Sequence, residues 1–246
     1  MIKNERIDRV LEIVREEKYI TVEKLVNKLH YSPATIRRDL TYLAELGLIK
    51  KSYGGVSFST GRPALVREHE NTLEKITICK RASEMINDGD YVFIDGTTTT
   101  YFLGEKIIKK KDVTVCTANL KLASFLCEHG VNCYVCGGKV YDAIMTGGSY
   151  VSDMIEKFNF NVAFFAVSSV SKEGYVAHSE EYWDYIKTAI RNSEKSVLLC
   201  DSDKLKMKSN RYIGDIGIFD IMITNQDVSK ELKNKFENVE FITAKY

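Results

Sequence analysis

The chain is poor in several of the residues that commit a sequence to a class. It has two prolines, Pro33 and Pro63, and one tryptophan in 246 residues. Long apolar runs are missing: the longest, Val162–Val167, is far too short to cross a bilayer. The N-terminus is charged from Lys3 onward, so no secretory leader is read and a cytoplasmic location is expected. Neither sign of charge dominates, with 35 Lys and Arg against 34 Asp and Glu and a net charge of +1. That balance argues against coating nucleic acid indiscriminately and fits binding at a few specific sites. Six cysteines are present, yet metal spacing is lacking. Cys133 and Cys136 have CxxC spacing within a strand-like run, where positions i and i+3 face opposite ways and cannot readily share a metal. Cys79, Cys116, Cys127 and Cys200 sit among apolar residues and read as small core side chains. No metal and no cofactor is expected.

The small charge excess is unevenly spread. Residues 1–58 carry a net +3 and the remainder a net −2, the sign expected of a nucleic-acid-binding head. Within that head, Tyr31–Leu40 is the most informative stretch. Ser32 is a strong N-cap residue and Pro33 follows at the first helical position, where its missing N–H costs nothing. Ile36, Leu40 and Leu43 fall at i, i+4 and i+7 and form one apolar stripe. The opposite face carries Ala34, Arg38 and Thr41, flanked by Thr35 and Arg37. Small residues and arginines at an exposed helix start suit a DNA major groove, where arginine meets guanine edges and Ala or Thr meets thymine methyls. Upstream, Ile7, Val10, Leu11 and Val14 mark one helix, Tyr19-Ile20 a short strand, and Thr21 the cap of a second helix. The short turn at His30-Tyr31 gives helix-turn-helix spacing. Downstream, Leu48–Lys51 and Val56–Phe58 flank Ser52-Tyr53-Gly54-Gly55, a hairpin signal with a basic first strand. Three helices and a basic hairpin make a winged helix, which places Lys50, Lys51 and Tyr53 near the phosphate backbone. Tyr42 either reaches that backbone or lies against the wing.

The segment SPATIRRDLTYLAELGLIKKSYGGV resembles the recognition helix and wing of the DeoR family of bacterial transcription regulators. By that resemblance Thr35, Arg37 and Arg38 contact DNA. Asp39 is read as the partner of a neighbouring arginine, because a free carboxylate would face phosphates.

Beyond a linker at 59–71, marked by Ser59-Thr60-Gly61-Arg62-Pro63, strands and helices alternate through 72–246. The strands are continuous apolar runs, which predicts an α/β domain whose mostly parallel sheet is covered on both faces. Ligands in such sheets bind at the carboxyl ends of the strands. Asp95-Gly96-Thr97-Thr98-Thr99-Thr100 follows the first strand and is expected to open a helix, where N–H groups and hydroxyls suit phosphate. Thr117-Ala118-Asn119 offers polar groups for a sugar hydroxyl, and Gly137-Gly138-Lys139 offers close backbone approach beside a cation. Lys204, after a later strand, reads as a second anion ligand or a surface lysine. These loops are similar to the sensor domain of the same family, itself similar to sugar-phosphate isomerases such as ribose-5-phosphate isomerase. The resemblance implies a phosphorylated-sugar effector at Asp95, Thr97, Thr98, Thr99, Gly137, Gly138 and Lys204. The sequence departs from the family pattern at Gly96-Thr97, at Thr117-Ala118-Asn119 and at Ala166–Val170.

Two functions are weighed. The first is a repressor of a sugar-utilisation operon, switched by a sugar phosphate and acting as a homodimer or homotetramer on operator DNA, with activation left open. The second is a sugar-phosphate isomerase with an accessory DNA-binding head. Isomerisation needs a base beside the C–H bond that breaks. Near the loop after Val162–Val167 the only acid is Glu173, while Glu180, Glu181 and Asp184 suit a helix start and His178 is isolated. The regulator is therefore expected, not an enzyme.

Overall fold

The computed structural model describes residues 3–45, 49–52, 54–58, 67 and 70–245. The chain divides into two compact units, Met1–Glu70 and Asn71–Tyr246. Most of the segment read as a linker, including Pro63, lies outside the described residues, as does Tyr53.

In the first unit, helices α1 (Lys3–Glu17), α2 (Val22–Leu29) and α3 (Pro33–Glu45) pack with a three-stranded antiparallel sheet. Its strands are β1 (Tyr19–Thr21), β2 (Ile49–Ser52) and β3 (Gly55–Phe58), in the order β1-β3-β2. Thr21 caps α2 by accepting from the Lys24 N–H at 3.3 Å, and Ser32 caps α3 by accepting from the Thr35 N–H at 3.2 Å. Between them His30 takes a left-handed conformation (φ 57°), and three residues turn the chain from α2 into α3. Ile36, Leu40 and Leu43 are buried with Val10, Val14, Leu25 and Ile49, so the apolar stripe of α3 faces this core. The wing's glycines have separate reasons. Gly54 lies at φ +80°, and a Cβ on Gly55 would stand 2.7 Å from the Ile20 carbonyl oxygen.

Asp39 pairs with an arginine from another helix. The Arg6 guanidinium donates from Nε to Oδ2 at 2.7 Å and from Nη2 to Oδ1 at 2.9 Å, a bidentate bridge that ties α1 to α3. The same guanidinium lies 5.4 Å from the centre of the Tyr31 ring. The Asp39 side chain is only 2% exposed, so its charge depends on this partner.

The second unit is built on seven parallel strands in the order β15-β14-β12-β9-β4-β5-β6. These are β4 (Tyr91–Ile94), β5 (Thr114–Thr117), β6 (Asn132–Val135), β9 (Val162–Ala166), β12 (Ser196–Leu199), β14 (Ile221–Thr224) and β15 (Glu240–Thr243). The inner strands are buried apart from Tyr91 at the start of β4, as continuous apolar runs require, and the edges β6 and β15 show more. Helices α4 (Thr72–Ala82), α6 (Leu120–Glu128) and α8 (Glu180–Arg191) are its longer helices. The helix expected to open at the threonine run is instead a 3₁₀ turn over Thr100–Leu103, followed by a four-residue α5 (Gly104–Ile107). The threonine hydroxyls bond locally and compete with helical backbone there. Three elements carry too little periodicity to be read beforehand: the hairpin of β7 (Lys139–Tyr141) with β8 (Met145–Gly147), the helix α7 (Ser149–Ile155), and a small sheet of β10 (Ser169–Val170), β11 (Tyr175–Ala177) and β13 (Gly214–Asp215). Short α9 (Lys230–Lys235) precedes the last strand.

The cysteines need one correction. Cys79, Cys116, Cys136 and Cys200 are buried, but Cys127 is exposed and Cys133 half-buried, because α6 turns Cys127 outward and β6 is an edge. Burial pushes the Cys133 and Cys200 thiols up to about 12, so both stay protonated at neutral pH. Among the described residues no three His, Cys, Asp or Glu side chains are grouped to hold a metal, and no helix is long and apolar enough to cross a membrane.

Replacing Arg6 with Ala should leave the Asp39 carboxylate buried without its partner and lower the head's melting temperature by several degrees in thermal circular dichroism. Arg9→Ala, which breaks only an exposed pair with Glu12, should leave it nearly unchanged. Equal melting of the two variants would contradict the structural role given to the Arg6–Asp39 bridge.

Candidate DNA-binding and effector sites

On the head, α3 presents Ser32, Ala34, Arg37, Arg38, Thr41 and Tyr42 to solvent, with Thr35 half-buried, and β2 presents Lys50 and Lys51. Arg37 and Arg38 are in no ion pair among the described residues, which leaves their guanidinium forks available to a polyanion. Other polar groups on this face are already engaged. The Ser32 hydroxyl caps the helix and bonds Thr35 Oγ1 at 2.9 Å. Thr41 Oγ1 donates to the Arg37 carbonyl at 2.8 Å and accepts from Lys51 Nζ at 2.7 Å. Lys51 thus bridges the wing to the recognition helix. A groove of about 720 Å³ runs between α2, α3 and the wing, lined by Val26, Arg37, Thr41 and Lys51 among others.

In the sensor domain the chemistry gathers where the strand order reverses. From β4 the chain proceeds outward to β5 and β6, and from β9 outward to β12, β14 and β15. The carboxyl ends of β4 and β9 therefore flank the switch point at which open α/β sheets bind ligands. Asp95 sits there, fully buried. Its Oδ2 accepts from the Ala166 N–H at 2.7 Å, which closes the gap to β9. Its Oδ1 accepts from the Thr97 N–H at 3.0 Å, Thr97 Oγ1 at 2.8 Å and Thr100 Oγ1 at 2.6 Å. Burial raises the Asp95 pKa, and the hydrogen bonds from Thr100, Ala166 and Thr97 oppose that shift.

Several groups expected from sequence as ligand contacts bond one another within the loop, for a common physical reason. Buried polar groups must be satisfied, and these satisfy one another. Asp95, Thr97 and Thr100 form one internal cluster. Asn119 donates from Nδ2 to the Gly96 and Thr97 carbonyls at 3.1 and 3.2 Å, and its Oδ1 accepts from the Leu122 N–H, capping α6. Thr117 Oγ1 accepts from the Asn119 N–H at 3.1 Å. Gly96 is packed so that a Cβ would meet the Ala118 carbonyl at 3.0 Å. The close approach at Gly138 is to the chain itself, since a Cβ there would stand 2.6 Å from the Gly147 carbonyl oxygen. Gly137 is exposed, and Lys139 Nζ lies 5.1 Å from the centre of the Tyr141 ring.

The remaining two threonines meet cations. Lys204 Nζ donates to Thr99 Oγ1 at 2.9 Å and stands 3.7 Å from Asp201 Oδ2. Lys75 Nζ, on α4, lies 3.5 Å from Thr98 Oγ1. The Cys79 thiol donates to the Thr99 carbonyl at 3.2 Å. Burial raises its pKa strongly, while Lys204 and Lys75 both draw it down, so both ammoniums flank this loop. Lys75 is 3% exposed, a burial that lysine rarely accepts without an electrostatic reason. Sequence reasoning missed it. A single lysine in the charged run Glu74-Lys75 gives no signal of which way it turns.

Residues 6–62 match the model of the DeoR-like helix-turn-helix domain, and residues 70–226 match that of the DeoR C-terminal sensor domain. The chain belongs to the DeoR family. Among curated DeoR-family relatives, the lactose phosphotransferase system repressor of Lactococcus lactis subsp. lactis is 26% identical, over 96% of each chain. The glycerol-3-phosphate regulon repressor of Escherichia coli (strain K12) is 28% identical, over 92% of each chain. Among solved structures, ribose 5-phosphate isomerase from Plasmodium falciparum aligns at 13% identity with a TM-score of 0.40, over 55% of this chain and 52% of that one.

Asp95→Ala removes the acceptor for the buried Thr97 and Ala166 N–H groups, each costing about 1–3 kcal/mol when left unsatisfied. The variant should lose about 2 kcal/mol or more of sensor-domain stability in urea denaturation. A stability equal to wild type would show that the cluster does not hold the loop.

Proposed function

We propose that this DeoR-family chain is a DNA-binding transcriptional repressor of a sugar-metabolism operon, released from its operator by a phosphorylated sugar. The observation that carries the effector reading is the convergence of Lys75 and Lys204 on the hydroxyls of Thr98 and Thr99 at the strand switch point. Two ammoniums and two hydroxyls are the donor set that a phosphate dianion takes. In this reading the phosphate rests on Thr98, Thr99, Lys75 and Lys204. Asp95, Thr97, Thr100 and Asn119 shape the loop, and the sugar extends toward Gly137–Lys139. The names of the relatives support the class, since one is a repressor of a lactose phosphotransferase system and the other of a glycerol-3-phosphate regulon. Ala34, Thr35, Arg37 and Arg38 read the major groove, while Lys50 and Lys51 sit on phosphates. The protein works in the cytoplasm, where its operator is.

The isomerase reading lacks a base. Glu173 is exposed, and the Ser171 hydroxyl, bonded to its carboxylate, lowers its pKa, the opposite of what a carboxyl poised to exchange protons needs. The His178 ring lies tilted against that of Tyr182, their centres 5.0 Å apart, with Nδ1 3.5 Å from Ser168 Oγ.

Release of labelled operator DNA by a panel of sugar phosphates, followed by fluorescence anisotropy, tests both halves. Arg38→Ala should weaken operator binding about ten- to hundred-fold, as loss of a bidentate base contact does. Thr98→Glu places a negative charge at the phosphate position and should bind operator as wild type does, yet fail to release it. Wild-type release by Thr98→Glu would place the phosphate elsewhere. Unchanged operator affinity in Arg38→Ala would refute the groove assignment.

A further inference from the structure

The segment Ala166–Val170, where the chain departs from the family pattern, is strung between the two sides of the phosphate seat. At one end the Ala166 N–H donates to Asp95 Oδ2 at 2.7 Å, and at the other the Val170 N–H donates to the Lys204 carbonyl at 3.0 Å. Between them Ser168 is exposed while its neighbours Val167 and Ser169 are buried, so its hydroxyl is what this segment offers at the carboxyl end of β9. The pairing of β10 with β11 brings His178 opposite. The Ser168 N–H donates to the Ala177 carbonyl at 3.0 Å, Ser169 pairs with Ala177, and Ser168 Oγ stands 3.5 Å from His178 Nδ1. That last contact is at the outer limit of a hydrogen bond. From His178 an aromatic wall continues toward Lys139. The centres of the Tyr182 and Tyr141 rings are 5.7 Å apart, and Lys139 Nζ lies over the Tyr141 ring. Gly147 lets both rings close in, since a Cβ there would stand 3.1 Å from each. Behind the wall Tyr185 packs edge-on to Tyr182 and ties α8 to the seat: burial pushes its hydroxyl well above the ordinary pKa, and the Asp95 charge adds to the rise.

We propose that Ser168 and His178 read the free hydroxyls of the phosphorylated sugar, whose C–H surface lies along Tyr141. This rests on the phosphate seat proposed above and adds the residues that tell one sugar from another. A serine hydroxyl and a neutral imidazole each present a donor and an acceptor. A sugar hydroxyl also does both, whereas a phosphate dianion only accepts. The ammonium groups of Lys75 and Lys204 only donate, so they hold the phosphate and cannot make that distinction. A site that hydrogen-bonds a hydroxyl rejects ligands lacking it far more strongly than an apolar site does, because its own polar groups are then left unpaired.

Calorimetric titration of the full chain separates the two ends of the ligand. The probes are inorganic phosphate, glycerol 3-phosphate, ribose 5-phosphate, fructose 1-phosphate and glucose 6-phosphate. The wild type should bind one of the sugar phosphates about ten-fold or more tighter than inorganic phosphate. Ser168→Ala and His178→Ala should each cut that advantage about five-fold or more, as loss of a hydrogen bond does, with inorganic phosphate affinity and melting temperature unchanged. Ser168→Thr keeps a hydroxyl and His178→Asn keeps a polar atom in place of Nδ1, so both should restore most of the advantage. A wild type that binds inorganic phosphate as tightly as every sugar phosphate would overturn the proposal and leave the seat standing. So would an advantage that survives both alanine variants. Alanine variants that lose inorganic phosphate as well would overturn it too, by giving these residues a structural role. A wild type that binds none of the probes would overturn the seat itself, and the proposal with it.

Discussion

The sensor domain depends on one buried carboxylate. Asp95 has no cation against it among its hydrogen-bond partners; backbone and threonine donors hold it, two of them N–H groups from different parts of the chain. A charge in such a position is costly unless its acceptors are filled, and the chain fills them with the loop itself. The bond to Ala166 fixes β4 against β9, and the bonds to Thr97 and Thr100 turn those hydroxyls inward. The other two threonines, equally buried, are left to other partners. Thr98 and Thr99, between the two inward threonines, are the ones that meet Lys75 and Lys204. The threonine run is thus divided: Thr97 and Thr100 bond Asp95, and Thr98 and Thr99 lie against the two lysines.

The head solves the corresponding problem with an ion pair. Asp39 lies one residue from Arg38 on the recognition helix, and its charge would repel DNA if it faced outward. Burial against Arg6 removes it from that face and fixes α1 on α3 in the same contact. Arg37 and Arg38 then stand on a face without a competing carboxylate from their own helix. A ligand changes DNA binding only through different affinity for the competent and incompetent forms, with coupling of about 1–3 kcal/mol in typical cases.

Much of this was legible in the sequence, for local reasons. Ser32, Pro33 and the Ile36, Leu40, Leu43 stripe are short-range signals, and the structure has the cap and the buried face where they fall. Asp39 was read as an arginine's partner by exclusion, though the partner proved to be Arg6 on another helix. The continuous apolar strands announced a sheet covered on both sides. What failed to show was long-range. Nothing near Lys75 says that its α4 position faces Thr98. Nothing in Thr97–Thr100 says which hydroxyls turn inward, because that is decided by Asp95 and by β9, far along the chain. The hairpin at Lys139–Gly147 is too short for periodicity, and the preceding Gly138 lies close against the Gly147 carbonyl, a contact no local pattern announces. Cys127 misled because apolar neighbours in sequence are not neighbours on a helix face.

Phosphorus-31 NMR of a bound sugar phosphate tests most directly the proposed seat of a phosphate between two ammonium groups. A free phosphate monoester gains its second charge near a pKa of about 6. A phosphate seated as proposed between Lys75 and Lys204 is favoured as the dianion, so its bound resonance should titrate well below the free ligand, and Lys204→Met should move it back toward the free value. A bound phosphate that titrates like the free ester in wild-type protein would contradict the account.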